Sequence, residues 1–99
     1  MPRIIWTPNA ALCIKRLHDF LKEKNPDAAK RAVRAIRTGI KPLKKFPNSG
    51  KPVEHLDGEV RTYMISFGSR GYTVLYKNEG NNIYIISVKH YLELDFIVQ

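Results

Sequence analysis

The sequence predicts an α+β domain in the order β-α-α-β-β-β, with a helix hairpin packed on a mainly antiparallel four-stranded sheet. Three observations predict it. Two proline-capped amphipathic stretches, joined by only a few residues, fill the first half of the chain. Three runs rich in β-branched and aromatic residues, separated by short Gly- and Asn-rich links, fill the second half. A short run of the same kind, Arg3-Ile4-Ile5-Trp6, stands before the helices as a first strand.

In the first helix Thr7 caps and Pro8 occupies the first helical position. Ala10, Cys13, Ile14, Leu17, Phe20 and Leu21 then recur at three- and four-residue spacing, which predicts one buried face. Cys13 reads as a small buried hydrophobe on that face. Asn25-Pro26-Asp27 repeats the device for the second helix, whose stripe is Ala29, Ala32, Val33, Ile36, Ile40 and Leu43. Gly39 and Pro42 predict a kink or an early end, because Pro42 has no N–H to donate. The short connection makes the helices antiparallel.

Phe46 to Pro52 is a turn-rich connector. Strands are expected over Glu59 to Phe67, Tyr72 to Lys77 and Ile83 to Lys89, as an antiparallel meander. Met64, Leu75, Ile86 and Val88 fall opposite Ile65, Val74 and Ile85, so both sheet faces look apolar. One cover is not enough for such a sheet, and a protein partner on the free face or edge is expected.

The 99 residues form one domain, residues 1 to 99, with a single modest core. One cysteine excludes an internal disulfide, and neither CxxC nor HExxH occurs, so no metal site and no cofactor is expected. No stretch approaches the ~20 apolar residues of a membrane span, and the N-terminus lacks signal-peptide character. A cytoplasmic location is expected. Residues 1 to 58 carry 13 Lys/Arg against 5 Asp/Glu, a net of +8, whereas residues 59 to 99 carry 4 against 4. The basic excess therefore belongs to the first part of the chain. Lys30, Arg34, Arg37, Lys41 and Lys44 recur at helical spacing beside the apolar stripe, either as a solvated face or as a landing strip for an acidic partner or phosphates.

Six words in order resemble the RelE/ParE family of type II toxin–antitoxin toxins: IIWTPNA, NPDAAKRAVRAI, LKKFPNSGKPV, EVRTYMISF, GYTVLY and IYIISVKH. They cover the chain from Ile4 to His90. The resemblance implies a toxin neutralised by a cognate antitoxin, whose extended and often acidic segment would meet Lys30, Arg34, Arg37, Lys41 and Lys44.

The family divides into two chemistries. RelE- and YoeB-like members cleave mRNA on the ribosome without a metal, which needs a base, an acid and cations for the phosphorane. Here the matching positions are Glu54, Arg61, His90 and Tyr91: Glu54 or His90 as base, His90 or Tyr91 as acid, and Arg61 with Lys51 or Lys89 on the phosphate. ParE-like members instead trap DNA gyrase, and the helix hairpin with its NP-x-AA word resembles that branch more closely. Under that reading Lys89-His90-Tyr91 closes the sheet and touches a partner. Arg61, Lys89, His90, Leu94 and Phe96 are then the target-binding candidates, and DNA gyrase is the expected target. A plain basic nucleic-acid-binding module is a third reading, carried by charge alone.

Overall fold

A computed structural model describes residues 2–54, 56, 59–68 and 70–90. Strand β1 (Arg3–Trp6) leads into helices α1 (Pro8–Lys22) and α2 (Pro26–Gly39), and a short 3-10 turn follows over Lys41–Lys44. Strands β2 (Lys51–Pro52), β3 (Val60–Phe67), β4 (Arg70–Glu79) and β5 (Asn82–His90) complete the chain. The sheet has five strands rather than four, in the order β1-β5-β4-β3-β2. It is antiparallel except where β1 runs parallel to β5. The added strand is the two-residue β2, whose Lys51 and Pro52 pair with Thr62 and Arg61. A proline is tolerated there because β2 is an edge.

Both helix starts follow from their capping residues. Thr7 Oγ1 accepts the Ala10 N–H at 3.2 Å, and Asn25 Oδ1 accepts the N–H groups of Asp27 and Ala28 at 3.1 and 3.2 Å. The first N–H groups of a helix have no intrahelical partner, and such side-chain oxygens accept them. α2 stops at Gly39, and Pro42 falls in the 3-10 turn, where its missing N–H costs less than inside an α-helix. Gly39 also lies against β3: a Cβ there would stand 2.9 Å from Cγ2 of Ile65.

The core lies between the helix hairpin and one sheet face. Ala32, Ile36, Ile40 and Leu43 of α2 and the following turn meet Ile65, Val74, Tyr76, Ile83 and Ile85. Complete burial of a side chain such as Ile36 stabilises the fold by about 1.5–3 kcal/mol. The apolar face of α1 is narrower than its sequence spacing predicts. Phe20 is 61% exposed and Cys13 is only half-buried, and both line a groove between α1 and the strand ends.

A bulge between β4 and β5 corrects the expected facing of the last strand. Leu75 pairs with Ser87 but Tyr76 pairs with Ile85, so Ile86 is the extra residue. The side-chain parity of β5 switches there, and Val88 joins Ile83 and Ile85 on the core side. The carbonyls of the bulge are not wasted. Thr7 Oγ1 donates to the Ile85 carbonyl at 2.7 Å, and Asn9 Nδ2 donates to the Ile86 carbonyl at 2.9 Å. The far face of the sheet is consequently less apolar than expected, carrying Thr62, Met64, Thr73, Leu75 and Ser87. Met64 is its exposed apolar residue, in contact with the Thr73 hydroxyl at 3.0 Å from its sulfur.

Candidate functional site

The sequence-predicted site residues divide between two ends of the sheet. At one end Arg61 leaves β3 opposite Tyr76 of β4. Its Nη1 donates to the carbonyls of Gly50 at 2.9 Å and Asn48 at 3.2 Å. The Tyr76 hydroxyl donates to the Pro47 carbonyl at 2.7 Å and accepts the Gly50 N–H at 3.0 Å. Asn78 Nδ2 donates to Asn48 Oδ1 at 2.9 Å. Arg61, Tyr76 and Asn78 thus hold the 47–50 connector by its own polar groups. Burial pushes the Tyr76 phenol above its ordinary pKa, against the opposing pull of the Gly50 N–H and the Arg61 charge. Arg61 Nε is buried without a hydrogen-bond partner among the described residues. Glu54 belongs to this end too: it is exposed in the turn just after Pro52, the strand partner of Arg61.

At the other end His90 closes β5 opposite Tyr72, and the two rings meet edge to face with centroids 5.8 Å apart. Tyr72 also meets Phe67 at 6.2 Å, and burial raises its phenol pKa. A groove of about 860 Å3 opens here between α1 and the ends of β3 to β5, lined by Leu17, Phe20, Phe67, Tyr72 and His90 among others. Lys89 pairs with Thr73 and shares this groove's edge. Tyr91, Leu94 and Phe96 lie outside the described residues.

The two ends do not meet. Tyr72 and Tyr76 stand four positions apart on β4, about 13 Å along the strand, and β3 and β5 lie on opposite sides of β4, about 10 Å apart. The backbones of Arg61 and His90 are therefore roughly 16 Å apart, and the Arg61 guanidinium is turned to the connector. Glu54 and Arg61 form one group and His90 another. A base, an acid and a phosphate-binding cation drawn from these residues do not converge on one reacting atom.

The basic stripe is intact as a surface. Lys30, Arg34, Arg37, Lys41 and Lys44 are all exposed, and none takes part in an ion pair among the described residues. The described residues include no group of three or more His, Cys, Asp or Glu side chains able to hold a metal. No helix among the described residues is long and apolar enough to cross a membrane.

A family profile described as "ParE toxin of type II toxin-antitoxin system, parDE" matches residues 4–94. The chain belongs to the ParE toxin family. Its fold resembles a solved chain of the chromosomal ParDE toxin–antitoxin system from P. aeruginosa, with a TM-score of 0.76 and 24% identity. That likeness covers 91% of this chain and 96% of the other, and it concerns the fold alone. The "Putative toxin Y4kP" of Sinorhizobium fredii (strain NBRC 101917 / NGR234) is 36% identical over 50 residues. That match spans 50% of this chain and 52%, about half, of the relative's length.

Two features of this ParE-family chain escape sequence reading. Tyr76 reads as one more alternating strand aromatic, yet its hydroxyl is the centre of the connector's hydrogen bonds. A second cavity, of about 530 Å3, brings Arg3 and Trp6 of β1 to Arg37, Lys41 and Lys44. Helical spacing links the last three, but only the tertiary fold adds the first two.

Proposed function

We propose that this ParE-family toxin acts by binding and inhibiting DNA gyrase, and that a cognate antitoxin neutralises it. The observation that carries the reading is the separation of Arg61 and Glu54 from His90. With those groups at opposite ends of the sheet, a metal-free site that needs Glu54, Arg61 and His90 together is not assembled among the described residues. Arg61, whose Nη1 is engaged by its own connector, acts as a structural residue. The groove end, with Lys89 and His90, is the better target surface because it combines apolar walls with basic residues.

Antitoxin recognition is the role of the exposed stripe. An acidic segment laid along α2 meets Lys30 and Arg34, then Arg37, Lys41 and Lys44, with no internal carboxylate to displace. A cytoplasmic site of action follows from either target.

The test is plasmid supercoiling by purified DNA gyrase with and without this protein, in the absence of antitoxin. Loss of supercoiling with accumulation of cleaved DNA is expected. Unimpeded gyrase together with codon-specific cuts in ribosome-bound mRNA would overturn the reading and return Glu54, Arg61 and His90 to candidate catalysts.

A further inference from the structure

The cavity between β1 and the end of α2 joins Arg37, Lys41 and Lys44, the last part of the antitoxin stripe, to Arg3 and Trp6, which the antitoxin reading does not use. Arg3, Arg37, Lys41 and Lys44 surround it, Trp6 and Ile40 form apolar wall, and no Asp or Glu among the described residues lines it. None of the four cations takes part in an ion pair among the described residues. Four uncompensated charges around one concavity repel one another, and an anion relieves that repulsion.

We propose that this cavity binds the backbone of a single-stranded nucleic acid, with Trp6 against a base. The spacing of the charges fits a chain of phosphates. Arg37 stands in the last turn of α2, and Lys41 and Lys44 follow at the two ends of the 3-10 turn, about 6 Å apart along it. The row therefore tracks a strand instead of gripping one isolated anion. Trp6 favours a nucleic acid strand: one part of it packs against the core and the rest lines the cavity beside the cations, where a base can stack. A duplex is excluded because its bases are turned inward, and a concave site of this size does not receive its convex surface. An acidic peptide satisfies the cations as well, so the two occupants are separated by whether the bound chain perturbs Trp6.

The site does not rest on the gyrase reading. It requires only nucleic acid with unstacked bases, such as a cleaved or melted strand, and is tested without gyrase. A chain that poisons gyrase but binds no oligonucleotide keeps the earlier reading and loses this one.

Trp6 is the single tryptophan of the chain, so its fluorescence reports on the cavity directly. The full-length protein is titrated with a short oligothymidylate, its ribo-counterpart and an oligoglutamate of equal charge, over a range of salt. Oligonucleotide binding is expected to change Trp6 emission. The plot of log K against log salt is expected to have a slope of about −3, from four neutralised phosphates at about −0.7 each. Replacing Arg37, Lys41 and Lys44 together by alanine is expected to flatten that slope to about −0.7. Lys30→Ala with Arg34→Ala, on the same helix but outside the cavity, is expected to leave the Trp6 response in place. The preferred sugar identifies the natural strand as DNA or RNA. Equal binding of oligoglutamate, a silent Trp6, or equal weakening by the Lys30 and Arg34 changes overturns the proposal.

Discussion

The Arg61–Tyr76 end and the His90–Tyr72 end of the sheet are built from similar residues and organised in opposite ways. At the first, a cation and a phenol spend their hydrogen bonds on the backbone of Pro47, Asn48 and Gly50. The connector has no helix or strand of its own to satisfy those groups, so side chains from β3 and β4 do it. At the second, the backbone groups are already paired in the β4–β5 ladder, and the side chains remain turned to a groove walled by Phe20 and Phe67. The lesson is that a charged residue in a strand is not a site by itself. What its neighbours lack decides whether it serves the fold or a partner.

Four perturbations sharpen that contrast, in order of expected size. Gly50→Ala should be the most damaging, because a Cβ there would stand 2.6 Å from both the Thr62 carbonyl and the Tyr76 hydroxyl. Overpacking against backbone is expected to cost about 3 kcal/mol, read as a lower urea midpoint. A midpoint unchanged by this substitution would mean that the connector is not held at this end.

Tyr76→Phe and Arg61→Met come next, each expected to cost about 1–2 kcal/mol by leaving partly buried carbonyls without donors. Because both hold Gly50, their effects should not add. A double-mutant cycle should give a coupling on the order of 0.5–3 kcal/mol, and zero coupling would separate the two residues.

The third is pH. Tyr72 and Tyr76 have phenol pKa values raised by burial, so the unfolded chain releases these protons first, near the ordinary value of about 10. Stability is full below that pH and falls as pH rises toward the folded-state values. Chemical denaturation across this alkaline range should show the decline, and Tyr76→Phe should make it shallower. A stability rising with pH there would contradict the burial of both phenols.

The smallest effects belong to the open end. His90→Ala is expected to cost about 1 kcal/mol, the scale of an aromatic contact, and to weaken growth inhibition without abolishing it. Phe20→Ser, at a position 61% exposed, should stay within about 0.5 kcal/mol of the parent. Loss of toxicity in a folded His90→Ala protein would give that residue a chemical role.

Much of the architecture is legible in the chain. Thr7-Pro8 and Asn25-Pro26 announce both helices, because cap and proline act on their own nearest residues. The Gly- and Asn-rich links announce the meander, and the apolar stripe of α2 is buried as its spacing predicts. The bulge at Ile86 is not legible: Ile85-Ile86-Ser87-Val88 offers apolar residues at either parity, and the choice depends on Thr7 and Asn9 capturing the bulge carbonyls from far away in sequence. The two-residue strand β2 is too short to leave a pattern.

The candidate site divides along the same line. Its residue types, the five-member basic stripe and the pair Arg61 and His90 were visible in the sequence. Their distribution over two ends of the sheet, and the union of Trp6 and Arg3 with Arg37, Lys41 and Lys44, were decided only by the tertiary structure. Local sequence determines caps, turns and periodicity because these act over a few residues. Register, bulge and the meeting of β1 with α2 depend on which distant groups satisfy one another, and that is settled only when the whole chain packs.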